Sequence, residues 1–162
     1  MIVEPTKPNQ QIQQLGNKTE CGLLGFVQNI GGDYAEIRRK FPEESLHKVY
    51  TFNSTRKSMM TVIKLYSENG TEVGYRVYQK GAAELVLARC SHFIGSDLSV
   101  NQFDHERRQQ ITSAIITNMA ELGLRTICIA YKDYIRKSFR DAEHNEVSFF
   151  TVFIRRIGST FM

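Results

Sequence analysis

The chain has 162 residues, which fits one domain large enough to bury its own core. Hydrophobic residues make up 41% of the chain and charged residues 23%, an ordinary globular composition that argues against intrinsic disorder. The net charge of +4 comes from scattered basic residues that form no stripe, so we expect an anionic small ligand and no nucleic-acid partner.

Neither the cysteines nor the histidines form a metal-binding or catalytic pattern. Cys21, Cys90 and Cys128 lie in apolar segments, which predicts buried thiols in a reducing compartment. The histidines lack ligand spacing and a neighbouring nucleophile, so we expect no metal site and no catalytic residue among them. The apolar stretch 147–157 is too short to span a membrane, and we expect no direct membrane contact by this chain.

The first third of the chain predicts a polar start followed by two helices. Residues 1–14 are rich in glutamine and proline and indicate a linker or frayed end. Thr19 is a suitable N-cap, Glu20 suits the first turn of the helix that follows, and Gly31-Gly32 would end that helix. A second short helix is predicted over 34–40, before Pro42.

The middle of the chain predicts an antiparallel meander. Three segments rich in β-formers follow one another, at 48–53, 59–66 and 72–79. Asn69-Gly70 supplies the hairpin turn between the second and the third, because this pair accepts positive φ easily. Lys80 and Gly81 are expected to close the third strand before a helix over 82–90, with Leu85, Val86 and Ala88 in the core.

The last recognisable elements are a long helix and a buried strand. Asp104 is a suitable N-cap for the helix, and Gly123 stands where its end is expected. The apolar segment 125–131 then predicts a strand. Hairpin strands with helices before and after them predict an α+β domain built on a mainly antiparallel sheet flanked by helices.

Two segments carry groups suited to holding a ring and an anion. Phe52, at a strand end, offers an aromatic face for stacking, although a core role is the common alternative for such a residue. Lys57, in the polar turn that follows, could reach a phosphate or simply be solvated. Lys80 adjoins Gly81, which would let a ligand approach the backbone or would only make the turn.

The combination of motifs resembles one family. These motifs are Phe-Asn-Ser-Thr-Arg-Lys-Ser-Met at 52–59, Lys-Gly-Ala at 80–82, the Gly-x-x-Thr-Glu segment at 16–20 and Gly-Leu-Arg-Thr-Ile at 123–127. They resemble the nucleotide-binding domain of P-type ion-pumping ATPases, most closely that of the plasma-membrane calcium pumps. The resemblance predicts a nucleotide-binding domain over 15–134, and it leaves 1–14 as a linker and 135–162 as an unmatched C-terminal segment.

The resemblance implies roles for residues around the adenine of ATP. Phe52 would stack on the ring, and Met59 and Ile127 would pack around it. Glu20 would accept a hydrogen bond from the adenine amino group or order the pocket. An apolar slot with a few polar anchors is the usual form of such a pocket.

The resemblance also implies roles for the floor of the pocket and for the phosphates. Lys80 would line the floor, and Gly81 would leave room for the ring. Lys57 and Arg125 would meet the phosphates of ATP, and Mg²⁺ would arrive with the nucleotide.

The function implied is that of a cytosolic domain that presents MgATP to a phosphorylatable aspartate elsewhere in a calcium-transporting pump. The partners would be ATP and the phosphorylation and actuator domains of a parent protein in the plasma membrane. No aspartate of this chain lies in the family's Asp-Lys-Thr-Gly-Thr segment, so the chain is not expected to be an enzyme by itself. The alternatives are a non-catalytic fragment of the same fold that acts only through protein contacts, an inert fragment, or a weak nucleic-acid binder.

Overall fold

The computed structural model describes residues 2–3, 13–14 and 16–136. The chain divides into two compact units, Met1–Glu43 and Glu44–Met162. From residue 137 onward, the predicted segment 135–162 lies outside the described residues.

The first unit holds two helices and a short pair of strands. Its elements are β1 (Ile2–Val3), β2 (Gln13–Gln14), α1 (Lys18–Asn29) and α2 (Tyr34–Lys40), with β1 and β2 antiparallel. The prediction for the second helix is confirmed, since α2 has the expected bounds.

Side-chain caps fix where both helices begin. The Oδ1 of Asn17 accepts a hydrogen bond from the backbone N–H of Thr19 at 2.8 Å, so Asn17 is the N-cap of α1. The prediction that Thr19 caps this helix is therefore wrong, because the N-cap is Asn17 and the helix begins two residues earlier. Asp33 caps α2 by accepting from the backbone of Ala35 at 2.8 Å.

The second unit is built on a four-stranded antiparallel sheet. After a 3₁₀ turn (Glu43–Ser45), its elements are β3 (Lys48–Asn53), β4 (Ser58–Tyr66), β5 (Glu72–Ala82), α3 (Ala83–Leu87), β6 (His92–Ile94), β7 (Val100–Gln102), α4 (His105–Ile111), a π-helical segment (Thr112–Thr117), α5 (Asn118–Glu121) and β8 (Ile127–Ile135). The strand order is β3-β4-β5-β8, and β6 pairs separately with β7. The predicted α+β class with a mainly antiparallel sheet is confirmed.

Two strands extend beyond their predicted ends. β5 continues through Ala82, so Lys80 and Gly81 lie inside the sheet, where they pair with Met59 and Ser58 of β4. The prediction that Lys80 and Gly81 close the strand is wrong, because partners on both sides extend it. β8 begins at Ile127, opposite Ala82, and runs past the predicted end.

One face of the sheet packs against helices to form the core. The buried cluster consists of Ala83, Val86, Leu87, Cys90, Phe103, Ile116, Cys128 and Ala130. Leu85 and Ala88, predicted to be in the core, are exposed, because the short helix α3 turns Ala83, Val86 and Leu87 inward instead. The three cysteines are buried and free, as predicted.

The helical stretch after β7 begins and ends at the predicted signals. The Oδ1 of Asp104 accepts from the backbone N–H of Arg107 at 2.7 Å, and Gly123 has a φ of +70° just after α5. Ile116, in the π-helical segment, reaches the core. Within the described part of the chain, no helix is long and apolar enough to cross a membrane.

Charged pairs join neighbouring strands on the partly exposed surface of the sheet. Arg76 on β5 donates to both carboxylate oxygens of its pairing partner Asp133 on β8, at 2.6 and 2.7 Å. The Arg76 guanidinium also lies 4.4 Å from the centre of the Tyr131 ring. Such a bidentate pair fixes both orientation and distance, so it helps to hold the β5–β8 register.

A pH-dependent contribution to stability is expected from Glu72. Its carboxylate accepts from Lys64 at 2.8 Å and also pairs with Arg136. The hydrogen bond from Lys64 is the main reason that the pKa of Glu72 lies below its ordinary value of 4.5. A carboxylate whose pKa is lowered by folding stabilises the native state above its unfolded pKa, and this stabilisation is lost as the pH falls through the folded pKa. Glu72→Gln should therefore lower the free energy of unfolding at pH 7, and its difference from wild type should shrink as the pH falls below 4.5.

Urea unfolding of both proteins at pH 7 and pH 3 measures this difference. Glu68→Gln, an exposed carboxylate in the adjoining turn, is the matched control and should show a smaller pH-dependent change. An equal loss from Glu72→Gln at pH 7 and pH 3 would contradict the proposed ion-pair contribution.

Candidate functional site

One face of the four-stranded sheet carries a row of candidate residues from three strands. Met59 of β4 pairs with Lys80 of β5, and Lys80 pairs with Ile129 of β8. The adjoining row includes Ser58 and Cys128, both buried on the core side. Because side chains alternate between the two faces of a sheet, Met59, Lys80 and Ile129 lie on the opposite face, which we call the open face.

A shallow pocket lies on the open face. It has a volume of about 120 Å³ and is lined by Met59, Thr61, Tyr78, Gln79, Lys80 and Ile129. Small-molecule pockets commonly measure about 300–1,000 Å³, so this depression matches a ring rather than a whole nucleotide. Thr61, Tyr78, Gln79 and Ile129 were not predicted from the sequence, although Thr61 and Tyr78 stand two positions along their strands from Met59 and Lys80.

A β-bulge in β3 determines which face Phe52 occupies. Tyr50 pairs with Met60, whereas Asn53 pairs with Ser58, so β3 contains one extra residue between these pairs. An unshifted register would place Phe52 opposite Ser58, on the core side. With the extra residue, Asn53 takes that position, and Phe52 turns to the face that carries Met59. The Phe52 ring is 63% exposed, so it is free to stack on a ligand.

Hydrogen bonds to backbone groups hold the turn from β3 to β4. The Oδ1 of Asn53 accepts from the N–H groups of Thr55 and Arg56, at 2.9 and 3.1 Å. Lys57 has a φ of +49°, an uncommon value for a residue with a side chain. Its carbonyl oxygen accepts from the N–H of Ala82 at 3.0 Å, which ties the turn to the end of β5. The backbone of Lys57 is thus fixed beside the pocket strands while its side chain is exposed.

Gly81 is required by the close approach of β4 and β5. A Cβ atom at this position would lie 2.5 Å from the carbonyl oxygen of Lys57 and 2.6 Å from the Cβ of Ser58. The missing side chain therefore accommodates the protein's own neighbouring strand. The implied second role of Gly81, leaving room for a ring, stays a prediction.

The remaining candidates lie at the same end of the sheet or in the other unit. Ile127 pairs with Ala82 at the end of β5, and Arg125 is an exposed residue just before β8. Glu20 lies partly buried in the first turn of α1, within the unit Met1–Glu43. The four-stranded sheet thus brings together the candidates other than Glu20, whose ligand contact stays a prediction.

The chemistry available at this end of the sheet is cationic and apolar. Phe52, Met59 and Ile127 supply apolar surface, and Lys57 and Lys80 supply positive charge. Over residues 16–136 and the two short strands before them, no group of three His, Cys, Asp or Glu side chains is placed to hold a metal ion. The apolar surface and the two lysines suit a ligand with a flat ring and negative charges.

Comparison with known proteins identifies a family match over most of the chain. Residues 2–155 match the family model of the P-type ATPase, cytoplasmic domain N. The chain is 64% identical over 149 residues to plasma membrane calcium-transporting ATPase mca-1 of Caenorhabditis elegans, and the match covers 92% of this chain. It is 47% identical over 133 residues, 82% of this chain, to plasma membrane calcium-transporting ATPase 2 of Oreochromis mossambicus and to plasma membrane calcium-transporting ATPase 4 of Homo sapiens.

These relatives are much longer than the chain. The match covers 12% of the Caenorhabditis elegans and Oreochromis mossambicus proteins and 10% of the Homo sapiens protein. The similarity therefore concerns one part of each relative.

Substitution of Gly81 tests the strand packing at the site. Gly81→Ala should lower the free energy of unfolding by about 1–3 kcal/mol, the usual cost of overpacking, because β4 has to move away from β5. Lys57→Ala, in the adjoining turn, adds no atom and should change stability by less than about 0.5 kcal/mol. Urea unfolding measures both values, and a neutral Gly81→Ala variant would show that the two strands do not approach this closely.

Proposed function

Because the chain belongs to the family of P-type ATPase cytoplasmic N domains, we propose that it holds ATP for a calcium-transporting pump. The observation that carries the proposal is the exposed ring of Phe52 on the same face of the sheet as the pocket of Met59 and Lys80. A flat aromatic surface beside a small apolar depression suits a purine base. A nearby lysine adds attraction for the phosphates of the same ligand.

The base is held by stacking and by apolar contact. The adenine ring stacks on Phe52 and rests against Met59 and Ile127. Stacking of a base on an aromatic side chain contributes about 1–3 kcal/mol in nucleic-acid sites. Phe52 is therefore expected to be a large single contributor to affinity.

The phosphates extend away from the ring towards the basic side chains. Lys80 is one of the residues that line the pocket, and Lys57 and Arg125 are exposed at the same end of the sheet. Lysine acts towards phosphate as a mobile point charge, and arginine can donate two parallel hydrogen bonds. Mg²⁺ usually keeps several waters and binds through substrate phosphates and a few carboxylates, so it arrives here with the nucleotide.

The chain's contribution to the reaction is positioning. Phosphoryl transfer depends on in-line placement of the donor and on neutralisation of charge. The acceptor is an aspartate of a phosphorylation domain outside this chain, and that domain and an actuator domain are the partners of this one. The relatives are named as plasma membrane calcium-transporting ATPases, which supports a parent pump in that membrane with this domain on the cytosolic side.

The competing function is that of a domain of the same fold that binds protein partners only, or nothing. The affinity for ATP distinguishes the two functions. A well-folded chain that binds only protein partners, or nothing, would not bind ATP. A nucleic-acid binder would differ again, since its affinity for a polynucleotide would exceed that for ATP and would fall steeply with salt.

Titration of the purified chain with MgATP tests the proposal directly. We expect weak binding without turnover, because the acceptor aspartate is absent. Phe52→Ala should raise the dissociation constant about 5- to 160-fold, which corresponds to the loss of about 1–3 kcal/mol of stacking. Lys80→Ala should weaken binding in the same direction, because it removes a cation from the pocket lining. Calorimetry or NMR titration measures each constant.

Two control variants show whether a loss of ATP affinity is specific to the proposed site. Tyr66→Ala removes an aromatic ring that is 59% exposed at the opposite end of β4, and Lys48→Ala removes an exposed lysine at the far end of β3. Both should bind ATP like wild type. No ATP binding by a well-folded wild-type chain would contradict the proposal and favour the interaction-only function.

Transplantation tests the role in a pump. The matching segment of the Caenorhabditis elegans relative is replaced by this chain, and ATP-driven calcium uptake into vesicles is measured. We expect uptake to be retained. Phe52→Ala should raise the ATP concentration for half-maximal uptake and leave the calcium concentration for half-maximal uptake unchanged, because the residues of this chain hold the nucleotide only. A shift in calcium dependence alone would contradict this assignment.

A further inference from the structure

Arg56 does not behave as a solvated basic residue of the turn. Its Nη2 atom donates to the carbonyl oxygen of Thr51 at 2.7 Å. Its Nε atom is buried and, within the described part of the chain, has no hydrogen-bond partner. Burying a guanidinium nitrogen without a partner costs free energy. The hydrogen bond to Thr51 is formed in spite of this desolvation cost.

The carbonyl that Arg56 contacts lies inside the β-bulge. The register shift falls between Tyr50 and Asn53, so Thr51 and Phe52 are the residues that it affects. A bulge takes backbone groups out of the regular ladder, and these groups need other partners. The side chain of Arg56 supplies such a partner on the residue directly before Phe52.

Asn53 holds the turn on the other side of Phe52. Its Oδ1 atom accepts from the backbone N–H of Arg56 at 3.1 Å, and its carbonyl oxygen accepts from the N–H of Lys57 at 2.7 Å. Arg56 is thus connected to Thr51 through its side chain and to Asn53 through its backbone. The two neighbours of Phe52 are therefore fixed by the same residue.

We propose that Arg56 is a positioning residue that holds the bulge open and thereby turns Phe52 to the open face. Without the hydrogen bond from Arg56 to Thr51, the bulge is lost and β3 pairs with β4 in the register set by Tyr50 opposite Met60. Phe52 then lies opposite Ser58, on the core side. The consequence for ATP rests on the proposed function, whereas the consequence for the strand register does not. The competing role for Arg56 is direct contact with the phosphates of a ligand.

The register can be measured in the ligand-free chain. Cross-strand Hα–Hα NOEs report which residues stand opposite Ser58. We expect Asn53 opposite Ser58 in wild type and Phe52 opposite Ser58 in a substantial fraction of Arg56→Met, which keeps the apolar stem and removes the donors. Arg107→Met, at an exposed arginine of α4, is the matched control and should keep the wild-type register. An unchanged register in a folded Arg56→Met variant would overturn the proposal.

Two ligands separate positioning from phosphate contact. If Arg56 acts through Phe52, Arg56→Met weakens the binding of adenosine and of ATP by the same factor, because adenosine has no phosphate. The loss should also be non-additive, so that Phe52→Ala with Arg56→Met binds ATP within about twofold of Phe52→Ala alone. A loss confined to ATP and additive with Phe52→Ala would overturn the proposal in favour of phosphate contact.

A milder variant covers the case in which Arg56→Met does not fold. Arg56→Lys keeps a charge and a donor but not the planar fork, so it should weaken adenosine and ATP equally and less severely. If the wild-type chain binds neither ligand, the proposed function fails, and the NOE measurement on Arg56→Lys still decides whether this residue sets the register.

Discussion

The pairing of β4 with β5 is the constraint on which the rest of the second unit depends. This register places Met59 beside Lys80 on one face and Ser58 beside Gly81 on the other. Gly81 permits the approach, since a Cβ atom there would collide with the backbone of Lys57. The same pairing extends β5 far enough for β8 to join it, so the pocket and the core both follow from one strand pair.

The two faces of the sheet differ within the described part of the second unit, because the buried cluster lies on one of them. Cys128 and Ala130 of β8 meet α3 and the π-helical segment in the buried cluster. The alternate residues of β8 are Ile129 and Tyr131, which are only partly buried on the open face. A ligand site can therefore form on a rigid surface without opening the core, and substitutions on the open face are expected to cost less stability than those in the cluster.

The site joins a rigid sheet to an edge strand that is locally irregular. Lys80 and Met59 lie within regular pairs, whereas Phe52 depends on the bulge and on the turn that follows it. A bulge at a sheet edge can re-aim a side chain with little change elsewhere, which suits the stacking role proposed for Phe52. Under the proposed function, the orientation of this one ring matters more for ATP binding than additional reactive groups would.

The sequence by itself determined the helix over 34–40, the three strands of the meander and the choice of candidate residues, because these follow from local patterns. Alternation and the Asn69-Gly70 turn predicted the meander, and the family motifs predicted Phe52, Lys57 and Lys80. The tertiary structure alone decided that Lys80 lies inside a strand, that α3 buries Leu87 and not Leu85, and that Phe52 points to the open face. The physical reason is that strand ends and register depend on distant partners, and a shift of one residue moves a side chain to the other face of the sheet.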